Sequence, residues 1–135
     1  MTPPDLPLPA VETGNQAGTA AFGRLVVLQK RAQFLAAARA RRAPAAGFLL
    51  QARQRDSAEG VDGIRIGFTC SKKVGNSVVR NRAKRRLREI ARMVLTSHGR
   101  PGWDYVLIGK PEATVTRDFA ALLDDLARAL ERIHA

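Results

Sequence analysis

The sequence predicts a small mixed α+β domain, one sheet covered by helices, and three observations carry that expectation. Residues 64–71, IRIGFTCS, alternate apolar Ile64, Ile66, Phe68 and Cys70 with Arg65, Gly67, Thr69 and Ser71, the period of a half-buried strand. Further on, Val79, Ala83, Leu87, Ile90 and Val94 recur at helical spacing, the mark of a long amphipathic helix. The chain has 135 residues, 45% of them hydrophobic, which is enough for one modest core and hardly for two.

Residues 1–22 hold four of the seven prolines and little apolar periodicity, so a disordered tail is expected ahead of a domain over 23–135. Residues 29–40, QKRAQFLAAARA, are strong helix formers and place Phe34, Leu35 and Ala38 near one face of a short first helix. Pro44 and Gly47 then interrupt, and FLLQA at 48–52 reads as a strand running through the loop DSAEGVDG into IRIGFTCS as a hairpin. After Gly75, Asn76 is placed to cap the long helix, which Gly99, Pro101 and Gly102 end. WDYVLIGK supplies a later strand, and RDFAALLDDLARALERI a last helix with Phe119, Leu122, Leu123, Leu126 and Leu130 inward.

Charge is the second theme. Lys and Arg number 23 against 12 Asp and Glu, a formal charge of +11, so the natural partner is a polyanion. Residues 72–88, KKVGNSVVRNRAKRRLR, hold eight of the cations and no acid. At 100° per residue Lys84, Arg85, Arg88 and Arg92 fall opposite the apolar stripe with Asn81 among them, and Arg80, Arg82 and Arg86 flank it. Such runs often form only a solvated helix face, but like charges at i and i+4 repel by a few tenths of a kcal/mol per pair, and Glu89 alone offsets them. The chain reads as a nucleic-acid binder, with Arg the better residue for bidentate phosphate contacts.

Several classes are disfavoured. No apolar run reaches the roughly 20 residues of a membrane helix, and a secretory signal is absent, so a cytoplasmic protein is expected. Cys70 is the single cysteine and reads as a small buried hydrophobe, while His98 and His134 lack metal-ligand spacing. Asp124 and Asp125, adjacent on a helix, point about 100° apart and read as solvated surface. Trp103 is expected to pack at the entry to its strand.

SKKVGN at 71–76, followed by RNRAKRRLRE at 80–89, resembles the signature of the bacterial ribonuclease P protein subunit. The likeness extends from Arg24 and Leu25, ahead of Phe34, to the late strand ending in Gly109, Lys110 and Pro111. It implies a small α/β sandwich of order α-β-β-β-α-β-α, like the second domain of a ribosomal protein, whose basic helix joins parallel strands by a left-handed crossover against the usual rule. It also implies a subunit of an RNA-based endoribonuclease that removes the 5′ leader of precursor tRNA. The chemistry would reside in the catalytic RNA with Mg²⁺ that the RNA holds, no residue of this chain being catalytic or a metal ligand.

By the same resemblance Lys72, Lys73, Asn76, Arg80, Asn81, Arg82, Lys84, Arg85 and Arg88 would contact the catalytic RNA and the precursor tRNA beside it. Phe34, Arg65, Thr69 and Lys110 would line a cleft for the single-stranded leader, Phe34 being equally readable as an ordinary core residue. Neither a membrane nor an obligate protein partner is implied. Ala38 and Gln51 stand where many or some relatives carry an aromatic, and Ser77 and Ala83 also depart from the usual pattern. Two rivals remain at this point: a structured-RNA binder unconnected with cleavage, and a DNA-binding protein using the basic helix in the major groove, although no zipper heptads follow Arg88.

Overall fold

The computed structural model describes residues 25–28, 30–56 and 63–135; the tail, Arg24 and most of the DSAEGVDG loop lie outside the described residues. The elements are β1 (Leu25–Val27), α1 (Arg31–Ala38), β2 (Arg41–Pro44), β3 (Phe48–Gln54), β4 (Ile64–Thr69), a 3-10 turn (Lys72–Val74), α2 (Ser77–His98), β5 (Trp103–Gly109), α3 (Ala113–Thr116) and α4 (Phe119–Ile133). The strands form one sheet in the order β1-β4-β5-β3-β2. β4 is parallel to β1 and β5, while β3 is antiparallel to β5 and β2.

This order corrects the expected hairpin between 48–52 and 64–71, because β5 lies between those strands. The reason is visible in β5, where every residue except half-buried Ile108 is buried. A strand buried on both faces belongs at the centre of a sheet, where helices cover it above and below. The turn at Pro44 and Gly47 likewise belongs to a hairpin the sequence reading lacked, with Arg41–Pro44 paired to Leu49–Ala52. Pro44 is tolerated there because β2 is an edge strand.

Helices cover both faces. α2 and α4 pack Ala83, Leu87, Ile90, Val94, Leu122, Leu126 and Leu130 against Leu50, Ile64, Ile66, Tyr105 and Leu107. On the other face α1 sets Ala37 and the partly buried Phe34 against Leu28, Val106 and Ile108. Leu35 and Ala38, which the sequence reading grouped with Phe34 near one face of α1, are exposed, and Ala37 is the residue buried beside Phe34. The stripe of α2 and the inward set of α4 are as expected, with Phe119 and Leu123 only partly buried. Residue 117 falls outside α4, which starts at Phe119 after the separate turn α3.

Two polar clusters, on opposite faces, hold the end of the sheet where β5 begins. Asp104, fully buried in β5, accepts from Arg65 Nε and Nη2 and from Arg55 Nη1, each at 2.7 Å, with Arg53 Nη1 at 3.6 Å. On the face that carries α2 and α4, the Tyr105 hydroxyl accepts from the Arg100 amide at 2.9 Å and lies 2.7 Å from His134 Nε2, tying the end of α4 to β5. Burial pushes the Tyr105 hydroxyl up to about 12, and burial followed by the charges of Arg100 and Arg41 lowers the His134 imidazole. Asp125 is a brace and not the solvated carboxylate expected: it accepts from Arg117 Nε at 2.7 Å and from the Gly47 amide at 3.2 Å. Asp124 does face solvent, paired with Arg128 at 2.8 Å. Cys70 and Trp103 are buried as expected.

Candidate nucleic-acid interface

The end of β4 leads straight into the cationic segment. Ser71 Oγ accepts from the Lys73 amide at 3.2 Å and sets the 3-10 turn. Gly75 follows at φ +149°, where a Cβ would lie 2.8 Å from Val79 Cβ, so only glycine fits the turn. Asn76 Oδ1 then accepts from the Val79 amide at 3.0 Å, capping α2 as the sequence suggested. Asn76 therefore has a structural task whatever else it touches.

From that start the helix divides its cations. Lys72, Lys73, Asn81, Arg82 and Arg85 are exposed, whereas Arg80, Lys84 and Arg88 are half-buried along the flanks of the packed stripe. Lys84 thus sits closer to the core, and Arg82 farther from it, than the helical projection placed them. Arg86 is occupied by the fold, donating to the Arg117 carbonyl with its guanidinium 5.8 Å from the Phe119 ring centre. Glu89 pairs with Arg92 at 2.7 Å and leaves the first three turns of α2 without an acid. Arg82 and Arg85 make no ion pair among the described residues, so they present uncompensated charge to solvent.

The sheet face beside α1 supplies a second surface. Register places Arg42, Gln51, Val106 and Gly67 side by side across β2, β3, β5 and β4. The Phe34 ring lies directly on Gly67, where a Cβ would meet Cε1 at 2.5 Å and Cζ at 2.7 Å. Arg65 and Thr69 flank Gly67 at i−2 and i+2 on the same face of β4, so the structure brings together three of the four residues expected to line a cleft. Arg65 is held by Asp104, and Thr69 is half-buried. Lys110 stands apart, donating Nζ to the Ala45 carbonyl of the β2–β3 turn while its amide donates to Thr114 Oγ1 at 2.8 Å.

Two residues in register with Gly67 escaped the sequence reading as site residues. Gln51 is 5% exposed and stands in register with Val106 and Gly67 on the sheet face that carries Phe34. Arg42, exposed next to it on the edge strand, adds a cation. Strand register was the needed signal, and RRAP shows no alternation from which to read it.

Among the described residues, no three His, Cys, Asp or Glu side chains come together as a group that could hold a metal ion. None of the described helices is long and apolar enough to cross a membrane.

A family model described as Ribonuclease P matches residues 22–134. The ribonuclease P protein component of Ruegeria pomeroyi is 66% identical over 109 residues, 81% of this chain and 86% of that protein. Its counterpart from Paramagnetospirillum magneticum is 51% identical over 114 residues, 83% of this chain and 85% of that protein. Among solved structures, the RNase P protein from Thermotoga maritima superposes with a TM-score of 0.64 at 26% identity, covering 78% of this chain and 94% of that one. The Staphylococcus aureus RNase P protein does so with a TM-score of 0.63 at 25% identity, covering 79% and 94%.

Proposed function

The chain belongs to the ribonuclease P protein family, and from that premise we propose that its two surfaces divide the labour of leader removal from precursor tRNA. As a ribonuclease P protein component it is the protein subunit of an endoribonuclease of tRNA processing, and its partner is the ribonuclease P RNA. The cationic turn and helix, with Lys72, Lys73, Asn76, Arg80, Asn81, Arg82, Lys84, Arg85 and Arg88, take the catalytic RNA and the adjoining substrate. The sheet face takes the single-stranded leader, with Phe34 as a stacking platform, Thr69, Arg65 and Lys110 around it, and Gln51 and Arg42 as additional polar groups.

The observation that carries this reading is the uncompensated charge of Arg82 and Arg85 beside exposed Lys72 and Lys73. Cations so placed displace condensed counterions from phosphate and make binding steeply dependent on salt. Mg²⁺ supplies hydroxide generation and leaving-group stabilisation when held by RNA phosphates. What this chain contributes is screening of phosphate repulsion, which lowers the Mg²⁺ needed, and a platform that orients the leader. No step requires a general base from the protein.

Cleavage of a 5′-labelled precursor tRNA by a bacterial ribonuclease P RNA at low Mg²⁺, with and without this protein, tests the division. Cleavage at the mature 5′ end is expected only with both components, and loss of stimulation in an Arg82→Ala, Arg85→Ala double variant. Cleavage by the protein alone would overturn RNA catalysis. Absence of stimulation by folded wild-type protein would leave a non-catalytic RNA binder.

A further inference from the structure

We propose that α2 holds the catalytic RNA through apolar contacts as well as charge, with Val78 and Met93 seated against ribose and base faces at the two ends of its outward stripe. This docking rests on the assignment of α2 to the RNA side. Four large hydrophobic residues are exposed among those described, and two of them, Val78 at 65% and Met93 at 50%, lie on α2. They are not strays from its packed face, which is complete without them in Ala83, Leu87, Ile90, Ala91, Val94 and Leu95. At 100° per residue Met93 lies 60° from Val78 around the axis, and Arg82 and Arg85 fall within 40° of Val78. The fifteen residue steps from Val78 to Met93 span about 22 Å of helix.

Neither residue is explained by helix formation. β-Branched Val78 is a poor choice for the first turn of an exposed helix, and Met93 is the adaptable side chain of irregular binding surfaces. What lies between them selects the occupant. Arg82 and Arg85 are exposed without ion pairs, and the next acid, Glu89, is already paired to Arg92. A protein surface meeting this stripe would have to bring two carboxylates at a fixed spacing between two apolar pockets. An A-form RNA minor groove offers both chemistries along its length, being wide and shallow, bounded by phosphates and floored by riboses and base edges.

The two kinds of contact separate in a salt series. Loss of a phosphate contact lowers the slope of log affinity against log salt, whereas loss of an apolar contact shifts the line without tilting it. Affinity for the ribonuclease P RNA is measured for the full chain, wild type and the variants Val78→Ser, Met93→Ser and Arg85→Ala, with thermal melts to confirm equal folding. Val78→Ser and Met93→Ser are each expected to bind about three- to tenfold more weakly at every salt concentration with the wild-type slope. Arg85→Ala is expected to lose about one unit of slope. Binding by both serine variants within twofold of wild type, with the Arg85 effect present, overturns the apolar docking and leaves α2 on the RNA. An unchanged slope for Arg85→Ala removes α2 from the RNA and this docking with it. Should the wild-type chain self-associate in sedimentation and the serine variants not, a second copy is the occupant and the proposal fails.

Discussion

Gly67→Ala moves the Phe34 ring without touching Phe34. The new Cβ would lie 2.5 Å from Cε1, 2.7 Å from Cζ and 3.2 Å from Leu28 Cδ1. Carbon atoms in contact rest at about 3.5–4.0 Å, so the ring has to rise by roughly 1 Å. Because the far end of a side chain moves and not the backbone, the stability loss belongs at the low end of the overpacking range, about 1 kcal/mol. The functional loss is larger. Stacking of a base on an aromatic ring contributes ~1–3 kcal/mol, so displacing the platform weakens leader binding by about 5- to 150-fold. The assay is the affinity of the reconstituted holoenzyme for precursor tRNA with a long leader against mature tRNA, for wild type, Gly67→Ala, Phe34→Ala and the double variant. The ratio of the two affinities is expected to fall in both single variants. The double variant should be no worse than Phe34→Ala, since both act through one ring. Equal weakening of both RNAs, or additive losses, would refute leader stacking on Phe34.

Asp104→Ala leaves the guanidinium groups of Arg55 and Arg65 without the carboxylate they share, and a broken buried pair costs about 3–5 kcal/mol; urea unfolding showing a loss under about 1 kcal/mol would deny Asp104 that role. The His134 imidazole is lowered in the folded protein by burial and by Arg100 and Arg41, so the unfolded chain takes up its proton first as pH falls. Stability from this group is therefore complete above its ordinary value of 6.5 and lost as pH drops through the lowered folded value. A pH series of thermal melts should show that decline, and His134→Asn should flatten it.

Legibility from sequence followed the range of the interactions. The cap at Asn76, the buried stripe from Val79 to Val94 and the stop at Gly99 are local to one helix, and all were readable. So was the alternation of β4, which put Arg65, Gly67 and Thr69 on one face. β2 was not, because an edge strand of sequence RRAP owes its existence to pairing with β3 and has no apolar period. The orientation of α1 was also closed to pattern reading: Phe34 turns inward because Gly67 leaves room for its ring, a fact held some thirty residues away. Arg65 looked like an unpaired cation on a polar face until register set Asp104 beside it.

The position of β5 governs how the molecule comes into being. Without it the sheet falls into two two-stranded pieces, β1 with β4 and β2 with β3, each too small to persist in water. Their joining waits for residues 103–109, late in a chain synthesised from its N-terminus. Because α2 is the link between β4 and β5, a nascent chain ending at residue 100 holds every cation of the basic helix and no central strand on which to seat it. The long-range closure that completes the hydrophobic core is thus the same event that aligns the cationic helix with the sheet face carrying Phe34 and Gly67, and the two surfaces mature together.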